Sequence, residues 1–310
     1  MVRVSDTHQK RRPRHSSLME RAVALAYEQF THPPYSGVLG IAAGYRSRAS
    51  YWVGEQVLTV FVQEKIASHV LEARGQAPIP SSLTITVGRT QRVVRTDVVE
   101  LRNAQSAAQS FGPGSPLSIE PNAGSIGVVS WVDVKDMTYG ITAEHVVGLG
   151  NLHAPLFSNG KVVGRVSKCG YALASIDAAL FDLAPDQTPT SVVAGRRLKP
   201  PRAVRRSDVH NPSQPNQAHV YHPGSGILEG IAIHYIHARG LELVSTDGTS
   251  FNPRPLTLTD QCTQSGESGT LLLGSDWTPI GLLSGIVTAI DGRSYSCFTE
   301  LAAALDALVS

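Results

Sequence analysis

A mainly β fold preceded by a small α+β unit is predicted by three observations. Short apolar runs of four to eight residues recur from residue 38 onward, separated by Gly, Pro, Asn, Asp and Ser. One stretch, Leu18 to Phe30, instead spaces Leu18, Val23, Leu25, Ala26 and Phe30 among charged residues, as an amphipathic helix does. The segment Phe111-Gly112-Pro113-Gly114-Ser115-Pro116 is loop chemistry, which marks the boundary between the front unit and the rest.

In chain order, residues 1–16 carry Gln9-Lys10-Arg11-Arg12-Pro13-Arg14-His15 and are expected to be a disordered basic tail. Residues 17–102 are expected to be the α+β domain. It holds the 18–30 helix, strands at Val38–Tyr45 and Gln56–Val62, and a short helix around Lys65–Arg74. Further strands follow at Leu83–Val87 and Thr96–Leu101. Residues 103–119 read as a linker and 120–310 as the main domain, closed by a short helix over Leu301–Leu308.

Candidate chemistry centres on Thr263-Gln264-Ser265-Gly266-Glu267-Ser268-Gly269-Thr270, followed by an apolar run. A nucleophilic Ser needs a tight turn that exposes its hydroxyl, with backbone N–H groups aimed where an oxyanion would develop. Gly266 and Gly269 permit such a backbone because neither carries a Cβ. Upstream, Tyr139–Thr142 is an apolar strand running into Thr142-Ala143-Glu144-His145, and Asp177-Ala178-Ala179-Leu180 places an Asp ahead of a second strand. Each of His145, Asp177 and Ser268 has an ordinary structural reading alone, and Asp182 is a rival to Asp177. Their order, His then Asp then Ser, with flanking strands, sets them apart.

These segments resemble the trypsin-like serine proteases, whose motifs read TAAH, D-x-A-L and GDSGGP. Gly124–Val129 is similar to the first barrel strand of that family, and Pro279–Ile286 to the strand after the nucleophile. The resemblance covers residues from about 120 to the C-terminus. It implies two antiparallel β-barrels of chymotrypsin type with the triad between them. The front unit is similar to one found ahead of the protease domain in many bacterial trypsin-like proteins, and in the plant narrow-leaf group. It carries the match in Gly40–Tyr45, Val57–Lys65, Ile79-Pro80 and Thr96–Glu100.

The resemblance implies a serine endopeptidase using His145 as general base, Asp177 as its orienting partner and Ser268 as nucleophile, with no cofactor. The N–H groups of Gly266 and Ser268 would form the oxyanion hole. Cys262 and Thr263 would form the base of the substrate pocket, and Ser284, Gly285 and Ile286 its facing wall. The strand with Ser296-Cys297-Phe298 would close the bottom. A base of Cys and Thr cannot desolvate and pair a Lys or Arg, so cleavage after small or apolar residues is expected; Asp260 is the residue that could change this. Two departures stand out. Glu267 replaces an Asp that pairs with a new N-terminus, and no matching cleavage site precedes Gly124. Glu144 adds a carboxylate beside His145, expected to face solvent or else to raise the His145 pKa. A quiet protease-fold binding or scaffold protein and an esterase on the same triad are the alternatives.

Composition limits the rest. The 310 residues are 42% hydrophobic and 17% charged, with no run long enough to span a membrane and a start too polar to be a signal peptide. The three cysteines, Cys169, Cys262 and Cys297, match no metal or disulfide spacing, which points to a cytoplasmic protein with reduced thiols. A net charge of +2 does not suit a nucleic-acid binder. The partners expected are a protein or peptide substrate and, as an option, further copies of the chain. The basic stretch Gly195–Arg206 is read as a solvated loop, or else as a docking surface for an acidic partner. His234 and His237, in an apolar run, are expected on opposite faces.

Overall fold

The structure is a computed structural model. It describes residues 18–48, 51–87, 90–106, 116–117, 127–128, 130–134, 137–158, 161–184, 192–193, 196–211, 217–222, 226–244, 248–264 and 266–309. The expected tail at 1–16, the loop at 111–115 and most of the expected first barrel strand at 124–129 lie outside these residues.

Helix α1 (Leu18–Phe30) buries Met19, Ala22, Val23, Ala26 and Phe30, the spacing of one helical face. It lies against β1 (Val38–Arg48), which pairs with β2 (Tyr51–Val62) as an antiparallel hairpin. Helix α2 (Ser68–Ala73) and β3 (Ser82–Val87) lead to β4 (Thr90–Ser106). β4 pairs antiparallel with β3 along its first part and then parallel with β2, from Leu58↔Thr96 to Val62↔Glu100. A parallel neighbour needs a crossover, and residues 63–95 supply it.

The next strands, β5 (Ser130–Val134), β6 (Met137–Thr142), β7 (Pro155–Ser158), β8 (Lys161–Cys169) and β9 (Ala179–Leu183), form one sheet in the order β5-β6-β9-β8-β7. Its edge strands, β5 and β7, do not pair with each other among the described residues. Two-residue strands aside, the strands that follow are β10 (Ala218–His222), β11 (Gly226–Ile231), β12 (Ile233–Arg239), β13 (Leu256–Asp260), β14 (Leu271–Leu273), β15 (Pro279–Ala289) and β16 (Ser294–Glu300). The terminal helix, Leu301–Val309, follows β16 directly and matches the expected one to a residue.

The mainly β class is as expected, and strands of the front unit join the main sheet. β1 pairs with β12, and β4 pairs with β15, so strands from 38–106 enter the same sheet as strands from 233–300. Ladders run β15–β16–β13–β12–β1–β2–β4 and back to β15, a circuit with one parallel step. The physical cause is the composition of β1: Ile41 through Tyr45 are all buried, so both faces of the strand are covered by neighbours. β4 also runs through the expected boundary at 102 to Ser106.

Packing across the two sheets fixes the site. Ile141, Ile176, Ala178 and Leu180 from the 137–183 region share a core with Leu271, Leu273 and Leu282. The terminal helix adds Leu301, Ala304, Leu305 and Leu308 to that core. Apolar burial of this kind contributes roughly 25 cal/mol per Å² and holds the two sheets in register.

Candidate functional site

β6 and β9 are register-matched neighbours, with Thr142 opposite Ala179 and Ile141 opposite Leu180. His145 lies three residues beyond Thr142, in the helical turn Glu144–Val147, and Asp177 two residues before Ala179. The register alone therefore brings the two side chains to one end of the sheet. Asp177 is wholly buried and accepts twice from the same residue: from the His145 backbone N–H at 2.9 Å (Oδ1) and from the ring Nδ1 at 2.8 Å (Oδ2). That two-point grip sets both ring position and tautomer, leaving Nε2 to face Ser268 Oγ at 2.8 Å. Asp182, the rival carboxylate, is exposed on β9 opposite Arg165.

Ser268 stands in the turn between β13 and β14. Gly266 and Gly269 flank it with φ of +95° and +94°, a region where a Cβ would be strained. Gly269 donates its N–H to Leu283 O (3.0 Å) and Leu283 donates to Thr270 O (2.8 Å), anchoring the turn to β15. Among the described residues, the N–H groups of Gly266 and Ser268 have no acceptor. Glu267 finds its partner locally: Gln264 N donates to its carboxylate at 2.7 Å, and Thr270 N donates to its carbonyl. The turn is thus closed by its own acidic residue.

Glu144 departs from the expectation that it faces solvent. It is fully buried and accepts from the backbone N–H of Gly150 at 2.8 Å and of Tyr171 at 2.6 Å. Burial raises its pKa, the two amides pull it back, and the charge of Asp177 pushes it up again. Its place is structural: it ties the loop after His145 to the segment before Asp177. Cys169, beside it, is held well above the usual thiol range, at about 11, by burial and by the Glu144 charge. All three cysteines are buried thiols outside any disulfide.

Phe251 was not foreseeable from sequence. It stacks on the His145 ring (5.0 Å between centroids, 26° between planes) and meets Tyr171 edge-on. The Tyr171 hydroxyl in turn accepts from Asn252 N at 3.1 Å, fixing the loop that carries Phe251. Phe251 lies in a polar stretch with no periodicity, so nothing in the sequence singled it out.

The predicted pocket residues fall into two hydrogen-bonded groups on opposite faces of β16. Thr263 Oγ1 and Ser296 Oγ lie 2.7 Å apart, and Cys262 N donates to Ser296 Oγ at 3.1 Å. Ser284 Oγ and Thr299 Oγ1 are 2.8 Å apart, and Ile286 stands opposite Ser296 on β16. Asp260 is turned to β12 instead. Its Oδ1 is 2.6 Å from His234 Nε2, and its pKa is lowered because that histidine outweighs partial burial.

His237, expected on the face opposite His234, leaves the strand alternation with φ of +58° and is also buried, against Glu300 (Nδ1···Oε2 3.1 Å). Within the basic stretch, Arg202 is engaged internally. It donates to both oxygens of Asp208 (2.6 and 2.8 Å) and reaches Asp276 at 3.2 Å. Arg196 lies 4.2 Å over the Trp277 ring. Arg202 is thus taken up internally, while Arg196 remains exposed beside its ring contact.

No protein-family model and no curated protein sequence matches the chain. Solved structures similar to it in fold are chymotrypsin-like serine proteases. One is a glutamic-acid-specific serine protease that uses a histidine triad in substrate binding (18% identity, covering 64% of this chain and 97% of that one, TM-score 0.44). Another is the Cellulomonas bogoriensis chymotrypsin (18% identity, 64% and 94% covered, TM-score 0.44). A third is the active form of the Rv3671c protease from M. tuberculosis (16% identity, 68% and 94% covered, TM-score 0.38). The geometry of the site, and not this likeness, carries the functional reading. No helix among the described residues is long and apolar enough to cross a membrane.

Proposed function

We propose that the chain is a serine endopeptidase. The observation that carries this reading is the continuous relay Asp177–His145–Ser268, with both side-chain contacts at 2.8 Å. His145 Nε2 takes the Ser268 proton as Oγ attacks a peptide carbonyl, and returns it to the leaving amine. Water then repeats the sequence on the acyl-enzyme. Asp177 stabilises the imidazolium formed at each step. The N–H groups of Gly266 and Ser268 receive the oxyanion, each such donor contributing about 3–4 kcal/mol to the transition state.

The proposed substrate pocket would draw on Thr263, Ser284, Ile286 and Ser296, which carry hydroxyls and one apolar side chain. Asp260 is committed to His234, so no carboxylate waits there for Arg or Lys. Small or apolar side chains are the class this lining fits. Hydrolysis of a mixed peptide library by the full chain, with Ser268→Ala as the control, tests the proposal. Cleavage after small or apolar residues that vanishes in the control is expected. Dominant cleavage after Arg or Lys would overturn the specificity, and identical products from the control would overturn the mechanism.

A further inference from the structure

One edge of β15 is taken up, in turn, by three pieces of chain. Residues 279–282 pair with β14, Leu283 is bonded to the nucleophile turn through Gly269 and Thr270, and Gly285–Ala289 pair with the end of β4. In the last ladder Ser106 stands opposite Gly285, Gln105 opposite Ile286, Asn103 opposite Thr288 and Leu101 opposite Ala289. β4 therefore runs antiparallel to β15, toward Ser268. Only Ser284 separates the residue bonded to Gly269 from the residue paired with Ser106. At about 3.3 Å per strand residue, the two contacts lie about 7 Å apart along one edge.

An extended peptide that adds to a sheet edge gains main-chain hydrogen bonds all along that edge, and alternate side chains reach the pockets beside it. Gly285 and Ile286 belong both to this edge and to the pocket wall. A substrate laid here, with its carbonyl at Ser268, would have to run in the direction in which β4 runs. Resting on the reading of the site as an endopeptidase, in which an extended substrate adds to the Gly285–Ala289 edge, we infer that residues 101–106 occupy that edge as an internal stand-in. A peptide substrate enters by displacing them.

Two further features fit a displaceable occupant. Ser268 is wholly buried in this arrangement. The pairing of β4 with β2 ends at Glu100, so beyond that point β15 is its only partner in the described ladders. Asn103, Ala104, Gln105 and Ser106 include no β-branched or aromatic residue, unlike Val93, Val94, Val98 and Val99 earlier in the strand. The tip is thus the weakly held part of a firmly held strand.

The test is a reversible staple. Asn103→Cys with Thr288→Cys, which stand opposite in register, should close a disulfide in the folded full chain. Peptide hydrolysis by the oxidised form should be at least tenfold slower than by the same variant after mild reduction. Gln105→Pro removes the N–H on the bonded side of the ladder, opposite Ile286, and should raise hydrolysis several-fold over the unmodified chain; Gln105→Gly acts in the same direction with less risk to folding. Closed staple and unchanged hydrolysis, or a folded variant in which the disulfide will not close, would overturn the inference. So would Gln105 variants that match the parent. If the parent, the reduced staple and both Gln105 variants all fail to hydrolyse peptides or to take a fluorophosphonate on Ser268, the endopeptidase reading itself fails and this inference with it.

Discussion

Replacing Glu144 with Ala removes a buried acceptor that serves two backbone donors at once. Gly150 N and Tyr171 N approach its oxygens at 2.8 and 2.6 Å, and the carboxylate is fully buried. A buried donor left without an acceptor costs about 1–3 kcal/mol, so the two together cost about 2–6 kcal/mol. Relief of the burial that raises the Glu144 pKa offsets part, leaving a net loss of about 2–4 kcal/mol. Urea unfolding with linear extrapolation measures it directly. The pH dependence adds a signature. A carboxylate with a raised folded pKa binds its proton more tightly in the folded state, so it makes stability fall as pH rises from 4.5 through the folded value. That slope should be missing from the variant. A cost below about 0.5 kcal/mol, the range of ordinary surface changes, would refute the bracing role.

Other outcomes follow from the same geometry. Asp177→Asn should cut peptide hydrolysis by roughly 10⁴-fold, because the amide holds the wrong His145 tautomer, while Asp182→Asn at its exposed position leaves the rate unchanged. Arg202→Met should destabilise the fold by about 2–4 kcal/mol in denaturant titration, since it strands the buried Asp208 carboxylate; a neutral result would remove Arg202 from the structural account. For His237, burial pushes the pKa down but the Glu300 charge and hydrogen bond outweigh it, so the net shift is upward. Its stabilisation is complete below pH 6.5 and is lost as pH rises through the folded pKa; Glu300→Gln should flatten that decline in a series of melting curves.

Much of the local structure was legible. The 18–30 helix declares itself through a single apolar face, and the 301–309 helix through an Ala/Leu run after a strand. His145, Asp177 and Ser268 come together because each sits at a strand end marked by a motif, and strand register does the rest. What was not legible is partnership. A strand such as β1 announces burial on both faces but not the identity of its neighbours, so its ladder with β12 had no sequence signal. The joining of the front unit to the main sheet was missed for that reason. Glu144 was misjudged because a carboxylate next to a catalytic motif is ordinarily solvated; its burial depends on backbone donors from residues 150 and 171 that only the fold supplies. Phe251 depends in the same way on a loop pinned by Tyr171.

The most direct measurement is covalent labelling of Ser268 by a fluorophosphonate, read by mass spectrometry of the intact chain and its peptides. The relay Asp177–His145–Ser268 predicts one adduct, on Ser268, lost in Ser268→Ala and strongly slowed in His145→Ala. A folded chain that takes no label in any form, or whose label persists in Ser268→Ala, would contradict the assignment of this serine as the nucleophile.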